Sequence, residues 1–382
     1  MRAVVVHGPG DLRIDERPDP VPGPGEVLLA LEWGGICGSD VAYFKHGGSG
    51  TATLRHPLVL GHEVAGRIAG TGPGVSGLTA GRPVTVHPAE LVGDGRLPDR
   101  LAGRTNLYPR VRYFGSAAFD PHTDGGFSEY RVVRAAQVRP LPEGVSTEQG
   151  ALAEPLAVAM HAVRRAGAAG GLAGGASDGR TGDGRAGDGR AGDGRAGDGR
   201  AGDLRGRTVL VNGAGPIGSL VVAAAKHRGA ATVIAADVSA ASLAVARAMG
   251  ADETVDVSDG TALPRDVELV FEASGAPAAL GPVLRATAPG GTVVQVGNLP
   301  GAAVAAALGD LVTREITWIG SYRFVEEIDD ALLAMRDGLD VSPVISHRFG
   351  LEEAARALAT PADPASGSSK VMLRLGAAPG GR

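Results

Sequence analysis

The sequence predicts an α/β protein built from two architectures: a strand-rich barrel or sandwich, followed by a parallel, doubly wound sheet. Three observations predict it. Up to about residue 150, short β-branched runs are separated by Pro/Gly clusters. From Thr208 onward, apolar strands alternate with Ala-rich helical stretches. A Gly-x-Gly-x-x-Gly turn joins the first of those strands to the helix after it.

In the first part, RAVVVH, EVLLALEWG, HEVAGRIAG, RPVTVHP and FSEYRVVR read as strands, with PDPVPGPGE and GTGPGVSG as turns. In the second, TVLVNGAG, TVIAADV, ETVDV, VELVFEAS, GTVVQVG and EITWIGS read as six strands, with helices expected at Ile217–Arg228 and Ala240–Met249. The tail offers helical pieces at Val325–Asp337 and Leu351–Ala359 and a last strand, KVMLRL. Six strands already complete a sheet, so the tail is expected to return to the first domain. The expected division is 1–155, 156–320 and 321–382.

Composition narrows the functional classes. The 382 residues carry 37 Lys+Arg against 42 Asp+Glu, a net charge of −5, which disfavours nucleic-acid binding. No run approaches 18 uninterrupted apolar residues, so no membrane span is expected. MRAVVVHGPGDLRIDE turns polar too early for a signal peptide. One cysteine excludes an intrachain disulfide. A cytoplasmic protein without nucleic-acid or membrane partners is the expectation.

Part of the excess of 61 glycines is local: from Asp178 the unit GDGRA repeats to Arg205, its aspartates balanced by arginines. No apolar side chain larger than alanine precedes Leu204 in this stretch, so little offsets the cost of ordering it. A flexible loop at about 170–205 is expected; a calcium-binding repeat would need a nine-residue period with an apolar position.

In TVLVNGAGPIG, Gly213, Gly215 and Gly218 provide a tight turn, close approach of a pyrophosphate and close helix–strand packing. Pro216 and Ile217 open the helix whose N-terminus favours phosphate. The next strand ends in Asp237, nineteen residues after Gly218. A carboxylate there holds the ribose hydroxyls and repels a 2′-phosphate, so NAD is expected over NADP. Val296, in GTVVQVG, is a further expected cofactor contact.

Cys37 lies in GGICGSD, His62 and Glu63 in VLGHEVAG, and Glu154 in LAEPLAVAMHA. Singly, each reads as well as a small apolar core residue, a core histidine or a helix-start glutamate. Together, sulfur, imidazole and carboxylate suit Zn²⁺, and a catalytic site keeps one position open.

GPGEVLLALEWGGICGSD, LVLGHEVAGRI, AEPLAVAMHA and VNGAGPIG, in that order, resemble the zinc-dependent medium-chain alcohol and polyol dehydrogenases, over essentially the whole chain apart from the repeat. GGICGSDVAYF, RYFGSAAFDPHTDGGF and GSYRF are most similar to the L-idonate 5-dehydrogenase branch, with sorbitol dehydrogenases next. The resemblance implies a GroES-like catalytic domain before a Rossmann domain, and a homodimer or homotetramer. It also implies zinc- and NAD-dependent oxidation of a sugar acid or polyol, most specifically L-idonate to 5-keto-D-gluconate. Cys37 and His62 are then metal ligands, Glu154 replaces the third protein ligand of the alcohol enzymes, and Glu63 stands in or just behind the ligand set. Ser39 matches the first proton-relay hydroxyl, which with Glu154 makes the expected catalytic pair, and Asp40 reads as an orienting residue. Tyr43 and Arg323 match polyol contacts, and Phe114 and Phe324 are candidate pocket walls. Arg323 could grip a carboxylate bidentately, with Arg112 as the alternative.

The chain departs from the family pattern twice. HPAELVGDGRLPDRLAGRTNLYPRVRYFG has no cysteine where many relatives carry four, so a thiolate structural zinc is excluded and one zinc per subunit is expected. Ala42 stands where relatives carry the histidine that ends the proton relay; His46 is the nearby candidate. Three other readings compete: a sorbitol- or xylitol-type dehydrogenase, a zinc-free quinone reductase, and a catalytically silent NAD-binding protein. The quinone reductases lack the Cys/His/Glu set.

Overall fold

The structure is a computed structural model, and it describes residues 1–169 and 202–376. The expected loop at about 170–205 therefore falls almost wholly outside the described residues. Its last residues are packed: Leu204 is fully buried, and its N–H donates to Arg228 O at 2.9 Å.

The expected α/β architecture is present. Glu26–Gly35 is the hub of a seven-stranded sheet, pairing antiparallel with Glu63–Thr71, Tyr130–Arg134 and Lys370–Arg374. Alternation along Glu26–Gly35 sends Val27, Leu29 and Leu31 into a core with Val64, Ile68, Val84 and Phe127. The final strand of the chain, Lys370–Arg374, thus lies beside a strand laid down near its start.

Register brings the ends of these strands together. Gly35 faces Glu63 on one side and Met372 on the other, so Cys37, Glu63 and Lys370 emerge from one corner of the sheet. Gly35 permits this: a Cβ there would lie 2.2 Å from Glu63 Oε2.

The second sheet has six parallel strands, and all six expected segments form it. Its order is Glu253–Asp256, Thr232–Asp237, Thr208–Asn212, Val267–Glu272, Thr287–Gln295, Thr317–Gly320. Strand order reverses between Thr208–Asn212 and Val267–Glu272, the crevice where doubly wound sheets bind ligands. The helices Pro216–His227 and Ala240–Ala248 lie within a residue of expectation. The tail helix starts at Glu327 rather than Val325, and Leu351–Ala359 opens as a 3₁₀ turn before its α-helix, Ala354–Ala359.

Ala153–Ala169, read from sequence only for its glutamate, is a long helix packed against Pro216–His227 and Glu327–Arg336 through Leu156, Met160 and Val163. Pro155 is tolerated because first-turn N–H groups have no helical partner. Among the described residues, no helix is long and apolar enough to cross a membrane.

The cysteine-free lobe is closed by side-chain packing. A hairpin of Ala89–Leu91 and Val111–Tyr113 and two 3₁₀ turns enclose Tyr108, Val111, Tyr113, Ala89 and Leu97. The Tyr108 hydroxyl donates to Val92 O at 3.1 Å and accepts from Gly95 N at 3.2 Å.

Candidate metal centre

Three expected ligands converge. One ligand atom each of Cys37, His62 and Glu63 lies within 4.8 Å of the other two, with Cys37 half-buried and the others buried. Asp40, on the first turn of the helix Gly38–His46, ties the two ligand segments together: its carboxylate accepts from Cys37 N at 2.9 Å and Gly61 N at 3.1 Å. Lys370 Nζ donates to both Glu63 oxygens, at 2.7 and 2.8 Å, and to Ile36 O at 3.1 Å.

Glu154 stands outside that cluster. It is buried at the start of Ala153–Ala169, where its Oε1 accepts a 2.6 Å hydrogen bond from the Tyr113 hydroxyl. Tyr113 also presents its ring to His62, edge-on at 5.7 Å between centroids. The Arg323 guanidinium lies over that ring, 4.2 Å from the centroid. Arg323 has φ = 52°, a left-handed backbone rarely taken by a side chain of this size.

The electrostatics favour a bound cation. Burial pushes the Asp40 and Glu154 carboxyls above their ordinary range, and burial with the Glu154 charge does the same to the Tyr113 phenol. Burial works against a protonated His62, yet Cys37 and the acidic neighbours hold its pKa well up. Asp40, Glu63 and Glu154 surround this corner with Lys370 as the buried cation among them, so a divalent ion on sulfur, nitrogen and oxygen relieves an anionic excess. The donor set fits zinc.

The remaining expected residues are placed unevenly. Ser39 is half-buried on the Gly38–His46 helix, and His46 is exposed at its end. The buried Tyr43 hydroxyl accepts from Ala117 N at 2.9 Å. Phe114 lies in the core under the Arg131 guanidinium, and Arg112 stacks on Phe119 at 5.8 Å, on the opposite strand face from Tyr113. Phe324 packs on His87 and joins Asn106, Tyr113, Arg139 and Arg323 in an open cleft of about 240 Å³ that none of the three metal-cluster residues lines.

The cofactor turn is built as the motif requires. Gly213 has φ = 90°, and a Cβ there would lie 2.4 Å from Ser274 N; a Cβ on Gly218 would meet Gly213 O at 1.8 Å. A Cβ on Gly215 would meet nothing within 4 Å, leaving the helix N-terminus at Pro216 open to a pyrophosphate. Asp237 ends its strand with Oδ2 accepting from Ala214 N at 2.6 Å and Oδ1 from Ser239 N at 2.9 Å, which fixes its carboxylate beside the turn. Val296 follows the Thr287–Gln295 strand, half-buried, with its N–H on Glu272 O at 2.8 Å. These residues fit a dinucleotide.

Sequence reasoning missed Tyr113, the Lys370 pairing and Glu272. Glu272 is a fully buried carboxylate accepting from Ser274 N at 2.9 Å and Gly275 N at 3.2 Å at the strand-order reversal. Only Tyr113 had a local signal, as a neighbour of the expected Arg112 and Phe114.

Comparison with known proteins agrees with this geometry. A family model described as alcohol dehydrogenase GroES-like domain matches residues 23–143, and one described as zinc-binding dehydrogenase matches residues 216–336. Sorbitol dehydrogenase of Gallus gallus is 35% identical over 374 residues, 94% of this chain and 92% of that protein. L-idonate 5-dehydrogenase (NAD(P)(+)) of Escherichia coli K12 is 33% identical over 339 residues, 86% of this chain and 87% of that protein. The crystal structure of L-idonate 5-dehydrogenase from E. coli superposes with a TM-score of 0.82 at 31% identity, covering 98% of each chain. A Sinorhizobium meliloti zinc-binding dehydrogenase bound to NADP gives a TM-score of 0.79 at 30% identity, again covering 98% of each.

Proposed function

Since this chain belongs to the zinc-binding, GroES-like alcohol and polyol dehydrogenase family, whose cofactors are zinc and NAD(P), we propose that it oxidises L-idonate to 5-keto-D-gluconate with NAD. The observation that carries the sugar-acid reading is Arg323. Its guanidinium is held over Tyr113, within one aromatic ring of Glu154, and makes no ion pair among the described residues. An unpaired cation so close to the reacting corner suits a substrate carboxylate at the far end of a short chain.

Cys37, His62 and Glu63 would hold the metal, with Lys370 steadying Glu63 from behind. Bound there, zinc supplies Lewis acidity that eases loss of a substrate hydroxyl proton, and NAD supplies the hydride acceptor. Ser39 Oγ is the first carrier of that proton, and Ala42 leaves it to reach solvent without the usual histidine. Glu154 Oε2, which has no hydrogen-bond partner among the described residues, orients the reacting hydroxyl. Asp237 takes the ribose hydroxyls and selects NAD. Tyr43 and Phe114, both buried in the core of the first domain, are the proposed apolar backing of the substrate pocket. Dimers or tetramers are the proposed working form.

Rates on L-idonate, D-gluconate, sorbitol and xylitol, with NAD and zinc-replete protein, test the reading. L-Idonate is expected to give the highest kcat/KM, and Arg323→Ala to erase that advantage. A higher kcat/KM on sorbitol than on L-idonate would establish the polyol reading instead, the alternative that the similarity to a sorbitol dehydrogenase supports.

A further inference from the structure

We propose that Tyr113 is a positioning residue of this site: its hydroxyl fixes the Glu154 carboxylate, and its ring carries Arg323. One side chain thereby sets the separation between the group that orients the reacting hydroxyl and the cation that reads the substrate's far end. The Glu154 half stands on geometry alone; the Arg323 half rests on the sugar-acid reading above.

The Tyr113 hydroxyl meets Glu154 Oε1 at 2.6 Å, the length of a charge-assisted bond, and both side chains are buried. A carboxylate with one oxygen so held cannot rotate freely, so Oε2 is the oxygen that faces the reaction. Without that bond, Glu154 could turn toward the Cys37–His62–Glu63 cluster and compete for its open position, since His62 and Glu154 both pack around the Tyr113 ring and hydroxyl. The Arg323 guanidinium lies over the ring, 4.2 Å from its centroid, and also reaches the Tyr322 ring at 4.9 Å. Tyr113 itself is anchored outside the site, in the small lobe core with Tyr108 and Val111. Its two contacts therefore report on one fixed ring.

Tyr113→Phe separates the two roles, because it deletes the hydroxyl and keeps the ring. It is expected to lower kcat by about 10–100-fold while the KM for L-idonate and for NAD stays within about threefold. The visible absorption of the cobalt-substituted protein should change, since the carboxylate next to the metal is released. In a Glu154→Gln background the same substitution should add almost nothing, as expected when one residue acts through the other. Tyr113→Leu, which also removes the ring, should raise the KM for L-idonate about tenfold with the KM for NAD unchanged. Should Tyr113→Phe fail to fold, Glu154→Asp withdraws the acceptor by one methylene and should produce the same spectral change.

An unaltered cobalt spectrum with full kcat in Tyr113→Phe, or additive losses in the double variant, would overturn the proposal. Failure of the sugar-acid reading looks different: wild-type protein would prefer polyols to aldonates, while the Tyr113→Phe spectrum would still move.

Discussion

Lys370 and Glu63 lie 307 residues apart in sequence and meet as a buried ion pair, with Nζ at 2.7 and 2.8 Å from the two carboxylate oxygens. Burial works against the ammonium, but the Glu63 charge and then Cys37 hold its pKa above the ordinary lysine range. Removing the cation leaves a buried carboxylate uncompensated, which typically costs about 3–5 kcal/mol. Lys370→Met is expected to lose that much unfolding free energy and to bind less zinc. Adding Glu63→Leu should restore most of the stability and none of the metal. Urea unfolding and a metal count decide it, and a Lys370→Met protein as stable as its parent would show that the pair contributes nothing.

The glycines of the cofactor turn should fail in different ways. Gly215→Val adds atoms into open space, so the fold should survive with an unchanged unfolding midpoint while NADH binding weakens at least about tenfold. Gly213→Ala meets Ser274 N and an unfavourable φ, so stability itself should drop by about 1–3 kcal/mol. NADH fluorescence titration beside urea unfolding separates the two; normal NADH binding by Gly215→Val would refute the placement of the pyrophosphate.

Cofactor choice should turn on Asp237 and its exposed neighbour Val238. Asp237→Ser with Val238→Arg removes the carboxylate and supplies a guanidinium for a 2′-phosphate. The kcat/KM ratio of NADP to NAD is expected to rise about 10–100-fold for each lost or gained polar contact pair. An unchanged ratio would mean that the ribose hydroxyls lie elsewhere.

Cys37→Ser should lose zinc and reduce turnover by more than the roughly 10–100-fold that loss of an outer partner costs. NADH affinity should hold, because the cofactor turn belongs to the other sheet. A variant that turned over normally without metal would end the zinc mechanism.

Glu327 gives a pH prediction. Burial pushes its carboxyl up, but the His161 hydrogen bond at 2.9 Å, the His161 charge and the Val325 N–H at 2.6 Å win, and the net direction is downward. The unfolded chain then takes up the proton first, so this stabilisation is complete above about pH 4.5 and drains away as pH falls through the lower folded value. Glu327→Gln should be less stable near neutrality by about 1–3 kcal/mol and show a shallower loss in acid. Equal acid limbs for parent and variant would contradict this.

Much of this was legible because its signals are local. Val, Ile and Leu runs broken by Pro/Gly marked the strands, and three glycines between a strand and a helix marked the cofactor turn. Cys37, His62 and Glu63 were recognisable as donor types. What set them side by side was register, Gly35 facing both Glu63 and Met372, and spacing along the chain does not encode it. Lys370 at the edge of KVMLRL reads as an ordinary solvent-facing cation until the strand is placed. Glu154 carried the right chemistry, yet its hydroxyl partner sits on a hairpin 41 residues earlier. The long Ala153–Ala169 helix does carry a pattern, with Leu156, Met160 and Val163 at helical spacing, but it runs into a Gly-rich stretch without a stop signal.

The lobe closed by Tyr108 leaves Cys37 as the chain's sole sulfhydryl. Alkylating reagents and peroxides therefore have a single thiol target, and it belongs to the reacting corner. Titrating lost turnover against label incorporated would count working sites directly, with no background from scaffold thiols.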